Sequence, residues 1–262
     1  MKHILSFSSA EEKPFLVLRK DGNIETFSFE LNDSLALIFS EETLCIGYKN
    51  EEENYKPCVF GHLNVSQCSH CKRLDIANVY TVGDFSFYPH LKEILEKEKY
   101  VLYLAQFGED ITKIGLTRRE RYLKRWKEQG ADFATLICEF EGPSMVYEIE
   151  AYLQHKYGFF NAVRGDQKFK RLIFNKKKAY EKISAAKKLI LSDPFIKNFS
   201  INEEIFDLTT NYPSLHSVKI SENIEGEILG AKGQWLFYKN SDKEEFGVNL
   251  SKKIGKFLLE EF

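Results

Sequence analysis

Two groups of side chains in the sequence have the composition of a catalytic or metal-binding site, and the first combines a tyrosine with two cations. Tyr103 lies in the apolar run VLYLA, Lys113 opens the run KIGLT, and Arg125 follows further along the chain. The two runs flank the turn-like segment FGED, which predicts paired antiparallel strands followed by a helix. The three side chains are expected to converge on one surface, where the charge of Lys113 favours the phenolate form of Tyr103.

The second group consists of four cysteines within a window of 27 residues: Cys45, Cys58, Cys68 and Cys71. The last two form a CxxC pair, a spacing that lets two thiolates hold one tetrahedral metal ion. His62 and His70 lie in the same window, and either one could replace a cysteine. Cys45 is the first candidate for replacement because it follows an apolar strand. We expect a structural zinc ion, with free buried thiols as the alternative.

Hydrophobic periodicity predicts the helices and strands that carry the first group. Residues 119–129 contain no proline or glycine, so we expect a helix that ends at Gly130. A third strand, ADFATLICEFEG, and a second helix, SMVYEIEAYLQHKYG, follow. On the second helix Glu150 falls at the edge of the apolar stripe, whereas Glu148 points to the opposite side. The residues alone favour a salt bridge for Glu150, and a metal ion second.

Both ends of the chain are predicted to be rich in strands. In residues 14–40 apolar runs flank the pair Asp21-Gly22, which predicts a hairpin that packs beside the cysteine region or pairs with later strands. Near the C-terminus the aromatic side chains of WLFY could stack bases, although aromatic residues at this period are more typical of a sheet interior. The connector of residues 73–99 predicts a short strand and a small helix.

Together these patterns predict an α+β protein in three segments. Residues 1–98 would form a β-rich segment with a zinc knuckle at 45–71. Residues 99–175 would form the central domain, and residues 176–262 a connecting helix and a β-rich module. The length of 262 residues and a hydrophobic content of 43% allow a substantial core.

Charge and hydropathy limit the possible partners and location. The net charge of -2 conceals two basic clusters, with six basic residues among positions 118–127 and six among positions 168–178. Such clusters attract phosphate backbones or form solvated helix faces. No apolar run reaches membrane-spanning length, and charge appears too early for a secretory signal. We therefore expect a cytoplasmic protein with no membrane partner.

The central segment resembles the GIY-YIG endonuclease superfamily. Val101-Leu102-Tyr103 stands in place of the first triplet and Lys113-Ile114-Gly115 in place of the second, before a helix with Arg125-Trp126. The longer string through RWKEQGA is also similar to an uncharacterised prokaryotic family, catalogued as a domain of unknown function, that usually carries cysteines upstream. These resemblances cover residues 45–161 and imply a small antiparallel sheet flanked by helices.

The superfamily resemblance implies a metal-dependent endonuclease that hydrolyses phosphodiester bonds in DNA or RNA. Tyr103, assisted by Lys113, would be the general base, and Arg125 would stabilise the phosphate. Glu150 would hold a single Mg²⁺ or Mn²⁺ ion. The positions expected to contact the substrate are Thr117, Arg118, Arg121, Gln129 and Asn161.

Departures from the superfamily pattern support two other hypotheses. Lys113 replaces a common tyrosine, the first triplet lacks its glycine, and Gln129 stands where many members place a histidine. Because glutamine cannot act as an acid or base, a catalytically inactive nucleic-acid-binding protein is the alternative. A protein-interaction module is the third hypothesis. A Glu150 held by Arg125 would favour the binding protein, whereas four clustered side chains would favour the enzyme.

Overall fold

The computed structural model describes residues 1–82, 84–201 and 203–261, and these residues form two compact units. The first unit combines Met1–Lys92 with Ser217–Phe262, and the second is Glu93–His216. The chain contains both helices and sheets, including a small antiparallel sheet and a β-rich C-terminal region. The expected α+β class is therefore confirmed.

The regular elements of the described residues are numbered in chain order. The strands are β1 (Lys2–Ser8), β2 (Phe15–Lys20), β3 (Asn23–Ser28), β4 (Ser34–Phe39), β5 (Tyr48–Lys49), β6 (Tyr55–Lys56), β7 (Lys99–Phe107), β8 (Ile111–Arg118), β9 (Phe133–Glu141), β10 (Phe206–Asp207), β11 (Val218–Ile220), β12 (Ile224–Lys232), β13 (Trp235–Lys239), β14 (Glu245–Asn249) and β15 (Phe257–Glu261). The helices are α1 (Ser69–Leu74), α2 (Ile76–Val82), α3 (Pro89–Leu95), α4 (Tyr122–Gln129), α5 (Ser144–Tyr157), α6 (Gly165–Phe169) and α7 (Lys176–Leu191).

The main sheet of the first unit draws strands from both ends of the chain. Its order is β11-β14-β13-β12-β4-β15-β1-β2-β3, and the pair β11 and β14 is parallel, whereas the other pairs are antiparallel. The predicted hairpin forms β2 and β3. Asp21 and Gly22 join these strands with φ angles of 50° and 83°, the backbone that a tight two-residue hairpin turn requires.

A single hydrophobic core joins the two ends of the chain in the first unit. Ile4 and Leu16 of the first strands pack in the same cluster as Leu236 and Val248 of the last strands. The C-terminal strands thus belong to the same sheet as the N-terminal strands. They do not form the separate β-rich module that was predicted within residues 176–262. The side chains of WLFY are all buried, which places them inside this unit rather than on a base-stacking surface.

The cysteine region of the first unit contains short elements. The pair β5 and β6 forms a two-stranded ribbon, and residues 57–68 connect it to α1. The short strand predicted in the connector is wrong, because these residues form α2. Val79 of α2 is fully buried, so helical packing overrides the strand preference of its β-branched and aromatic residues.

The second unit is an antiparallel sheet with helices on both faces. Its strand order is β10-β9-β7-β8. Alternate residues of β7 enter two different cores: Leu102 and Leu104 pack with residues of α5 and α7, whereas Tyr103 and Ala105 pack with Trp126 of α4. This period of two directs alternate side chains of β7 toward the two helical layers. Strand β8 forms one edge of the sheet.

The described part of the chain contains no helix with both the length and the apolar character needed to cross a membrane.

Candidate active site and candidate metal centre

Tyr103 and Gly115 face each other across paired strands at the centre of the candidate active site. They are register partners on β7 and β8, and the Tyr103 ring lies directly over the glycine. A Cβ atom at Gly115 would lie 2.6 Å from Tyr103 Oη and 3.1 Å from Lys113 Nζ. The phenol hydroxyl and the ammonium group therefore share the space that the glycine leaves open.

Tyr103 is held rigidly by α4. Its side chain is 0% exposed and makes an edge contact with Trp126, at 6.0 Å between ring centroids. Gln129 Nε2 donates a hydrogen bond of 3.0 Å to Tyr103 Oη, and Gln129 is itself buried. The amide expected to contact a substrate is thus engaged with the tyrosine. Burial raises the Tyr103 pKa, while Arg125 and the Gln129 hydrogen bond act in the opposite direction.

Lys113 lies beside Tyr103 in a partly buried position. Its Nζ atom is 5.8 Å from the centroid of the Tyr103 ring. Burial, together with the charge of Arg125, lowers the Lys113 pKa to about 8, and the charge of Glu150 opposes this shift. Arg125 and Glu150 therefore both act electrostatically on the Lys113 ammonium group, so these three charged groups lie around one point.

Glu150 reaches this group from α5, which packs against the edge strand β8. The helix buries Val146, Ile149 and Leu153, and Glu150 lies half-buried at the rim of that face, as its position in the sequence predicts. Burial raises the Glu150 pKa, and Lys113 opposes the shift. Within the described parts of the chain, its carboxylate makes no hydrogen bond and no ion pair closer than 4.0 Å.

Arg125 stands on the solvent side of the site. Its side chain is 47% exposed, and its guanidinium forms an ion pair with Glu128 at 3.4 Å rather than with Glu150. Glu128 also pairs with Arg121 at 3.4 Å. Sequence reasoning overlooked Glu128, although its spacing of three residues from Arg125 on a helix is a recognisable signal. The structure thus brings Tyr103, Lys113, Arg125 and Glu150 together.

The other residues expected to bind substrate differ in whether they face this group. Thr117 lies two residues beyond Gly115 and shares its face of β8. Arg118 points to the opposite face, where its Nη1 atom pairs with Glu98 at 3.2 Å. Asn161 is exposed and follows Phe160, whose backbone pairs with β8. Arg118 is therefore directed away from the Tyr103 side of the sheet.

The four cysteines of the first unit form a compact cluster. All four sulfur atoms lie within 4.8 Å of one another, and the Cys58 and Cys68 sulfurs are 3.9 Å apart. Tetrahedral zinc with Zn–S bonds of about 2.3 Å requires sulfur separations of about 3.8 Å. The cluster could therefore hold a metal ion such as zinc, and Cys45, rather than a histidine, completes it. His62 and His70 instead contact the ring of Phe60.

Backbone N–H groups near the cluster favour the thiolate form of Cys58, whereas burial raises the pKa of Cys45. Burial alone would raise the Cys58 pKa, but hydrogen bonds from the backbone N–H groups of His62 and Phe60 lower it to about 6. The backbone N–H of Cys68 donates to Cys45 Sγ at 3.3 Å. Burial and the neighbouring thiols raise the Cys71 pKa. Four thiols packed so closely repel each other once ionised, and a cation relieves that repulsion.

Comparison with known proteins places the chain in a family. No curated protein matches it, and no solved structure matches it. The family described as "Protein of unknown function (DUF2797)" matches residues 33–252, a range that includes the four cysteines and the whole candidate active site. The chain therefore belongs to this DUF2797 family.

Proposed function

We propose that the second unit is a divalent-metal-dependent endonuclease that hydrolyses phosphodiester bonds in DNA or RNA. The observation that carries this proposal is the state of Glu150, a half-buried carboxylate beside Lys113 with no hydrogen bond or ion pair from the described residues. Burying such a group is costly unless a cation approaches it. Its rim position leaves one side open for a metal ion and a phosphate.

Each residue of the group has a role in this proposal. Glu150 would hold Mg²⁺ or Mn²⁺, which polarises the phosphate and stabilises the leaving oxygen. Arg125, whose side chain is exposed, would bind a non-bridging phosphate oxygen in exchange for Glu128. Tyr103 would accept the proton of the attacking water, with Lys113 and Arg125 stabilising its phenolate. Gln129 would fix the position of the phenol oxygen.

The likeness of the two triplets to the GIY-YIG endonucleases supports the same reaction class. Val101-Leu102-Tyr103 and Lys113-Ile114-Gly115 pair on adjacent antiparallel strands. The arrangement explains why the second triplet ends in glycine, since any side chain there would collide with the tyrosine. The superfamily relationship itself is part of our proposal.

The test is cleavage of single-stranded, duplex and branched DNA and RNA with Mg²⁺ or Mn²⁺. We expect Glu150→Ala to reduce cleavage about 10³-fold or more, because metal and phosphate stabilisation contribute several kcal/mol. Glu148→Ala is the matched control, since Glu148 lies on the exposed side of the same helix. Equal activity of the Glu150→Ala variant and the wild type would refute the assignment.

A nucleic-acid-binding protein without nuclease activity is the second candidate function. Its support is the enclosure of Tyr103, whose hydroxyl is fully buried and already bonded to Gln129. If no substrate is cut but binding weakens steeply with salt, this second function is the correct one.

We also propose that the cysteine cluster holds one structural zinc ion. All four ligand positions would come from protein, so the ion would contribute folding energy and leave no position for a substrate. Metal analysis of the purified protein tests this, with about one zinc ion per chain expected.

A further inference from the structure

An exposed phenylalanine lies directly beside Lys113 at the edge of the Tyr103 site. The backbone N–H of Phe160 donates to the carbonyl of Thr112 at 3.2 Å, and the N–H of Ile114 donates to the carbonyl of Phe160 at 3.1 Å. These two hydrogen bonds make Phe160 the parallel register partner of Lys113. Because hydrogen-bonded strands lie about 4.8 Å apart, the Phe160 backbone is the immediate neighbour of the Lys113 backbone.

The Phe160 side chain lies on the same face of the sheet as Tyr103. Register partners direct their side chains to one face, and the Lys113 ammonium lies 5.8 Å from the centroid of the Tyr103 ring. The residues around Phe160 agree with this direction. Phe159 packs into the core of α5 and α7, whereas Val163 packs into the core that contains Tyr103. The Phe160 ring therefore borders the Tyr103 site along the edge strand β8.

This ring is accessible to a ligand. Phe160 is 43% exposed, and within the part of the chain that the structure describes it contacts no other aromatic ring. Single exposed apolar residues are common on protein surfaces, but this one adjoins a group of charges. Arg125 and Glu150 both act on the ammonium of its register partner Lys113. An aromatic face beside phosphate-binding cations is the arrangement that holds unpaired nucleotides.

The distances match those within one nucleotide. Successive nucleotides of a stacked strand advance by about 3.4 Å, and the Phe160 backbone is about 4.8 Å from that of Lys113. A base attached beside a phosphate at Lys113 and Arg125 is therefore within reach of the Phe160 ring. In a duplex both faces of that base are covered by neighbouring base pairs, so only an unpaired base can stack on the ring.

We propose that Phe160 stacks on an unpaired base next to the phosphate that Arg125 would hold, so that the Tyr103 site takes single-stranded regions of DNA or RNA. This inference rests on the proposed function for the position of the phosphate, and it adds the substrate class. The charged residues cannot supply this selection, because phosphates are present in single strands and duplexes alike.

The test is fluorescence anisotropy of the full chain without divalent metal, using three labelled probes of equal length. The probes are a thymidine oligomer, its duplex with the complementary strand, and an abasic oligomer that keeps the phosphates but lacks the bases. We expect the wild type to bind the thymidine oligomer about 10-fold more tightly than the abasic oligomer, and Phe160→Leu to remove this difference. Binding of the duplex should be weaker than that of the thymidine oligomer and should change little in Phe160→Leu.

Two further variants separate stacking from a structural role of the ring. Phe160→Trp should restore tight binding of the thymidine oligomer, because tryptophan also offers an aromatic face. Phe195→Leu is the matched control and should bind like the wild type. Phe195 belongs to the same unit and is 50% exposed, but its ring contacts Tyr152 at 5.1 Å between centroids. Thermal unfolding of Phe160→Leu should match the wild type, since leucine is also apolar and the site is exposed.

The results separate this inference from the proposed nuclease function. Selective loss of thymidine-oligomer binding in Phe160→Leu supports the inference even if no substrate is cut. Unchanged binding by Phe160→Leu overturns it even if cleavage depends on Glu150. A wild-type chain that prefers duplex, binds the abasic oligomer equally well, or binds none of the three probes also overturns it.

Discussion

The cysteine cluster and the Tyr103 site both gather ionisable groups, but one is closed and the other is open. Three of the four cysteines are buried and their sulfurs face one another, so a metal ion there would have only protein ligands. The Tyr103 site places Glu150, which has no hydrogen-bond or ion-pair partner among the described residues, at a rim beside an exposed arginine. The closed arrangement suits stability, and the open arrangement suits the approach of a substrate.

Asp193 and Glu150, two carboxylates of the second unit, show the same contrast between a closed and an open site. Asp193 is buried and accepts hydrogen bonds from four groups: Tyr152 Oη, Lys156 Nζ, Tyr157 Oη and the N–H of Phe195. Glu150 has no such partner among the described residues. A carboxylate saturated by local donors is a structural group, whereas one left unsatisfied at an opening is a candidate for function.

Loss of a cysteine ligand should have the largest effect on stability. Cys68→Ser should release the metal and destabilise the first unit by several kcal/mol, because structural zinc contributes about 10–16 kcal/mol in small zinc-binding peptides. Zinc analysis and thermal unfolding provide the measurement. Cys138→Ala, at the buried cysteine of β9, should retain the zinc. A Cys68→Ser protein with normal zinc content would contradict the closed-site assignment.

Removing the charge of Asp193 should destabilise the second unit by about 2 kcal/mol, since its donors would lose a charged acceptor. Burial alone would raise the Asp193 pKa, but the hydrogen bonds lower it. The stability that the carboxylate provides is therefore present above the usual aspartate range and lost as pH falls through it and below. Urea unfolding of Asp193→Asn at neutral and acidic pH measures this. An equal loss of stability at neutral and at acidic pH would be evidence against the charge-based explanation.

Filling the space over Gly115 should cost about 2 kcal/mol. In Gly115→Ala the new methyl group would collide with Tyr103 Oη and force the ring or the strand to move. Urea unfolding measures the loss, and any cleavage activity should fall with it. Thr117→Ala, on the same face of β8, serves as the control for the stability measurement. A Gly115→Ala protein as stable as wild type would show that Tyr103 can move without penalty.

Removing the charge of Glu150 should have a smaller effect on stability, and it should stabilise the protein. Burial raises its pKa, so the ionised form destabilises the metal-free fold at pH above the folded-state pKa. Glu150→Gln should therefore raise stability by up to about 1 kcal/mol at neutral pH, and the gain should vanish as pH falls below the usual glutamate range. Chemical unfolding without divalent metal tests this. A loss of stability would identify Glu150 as a structural residue like Asp193.

The smallest effect is expected at Arg118. Its ion pair with Glu98 is partly exposed, and such pairs contribute less than about 1 kcal/mol. Arg118→Ala should leave cleavage and nucleic-acid affinity nearly unchanged, because the side chain points away from the Tyr103 face. Arg125→Ala, measured alongside it, should reduce both. Similar losses in Arg118→Ala and Arg125→Ala would contradict the conclusion that Arg118 lies on the face of β8 opposite to Tyr103.

Local patterns in the sequence predicted the elements that depend on neighbouring residues. The Asp21-Gly22 pair predicted its hairpin because few residues adopt positive φ. Gly130 predicted the end of α4 for the same reason, with a φ angle of 70°. The apolar stripe of α5 predicted that Glu150 would lie at its rim. The spacing of the cysteines indicated a metal site, since two thiolates three residues apart can reach one ion.

Tertiary structure decided the features that depend on distant parts of the chain. Strand β4 lies between β12 and β15, a pairing across nearly the whole sequence that no local pattern records. Cys45 joins the cluster because its backbone pairs with His62. Gln129 turns inward to Tyr103, and Arg125 pairs with Glu128. These outcomes follow from burial and competition among polar partners, which are settled only when the residues within each unit pack together.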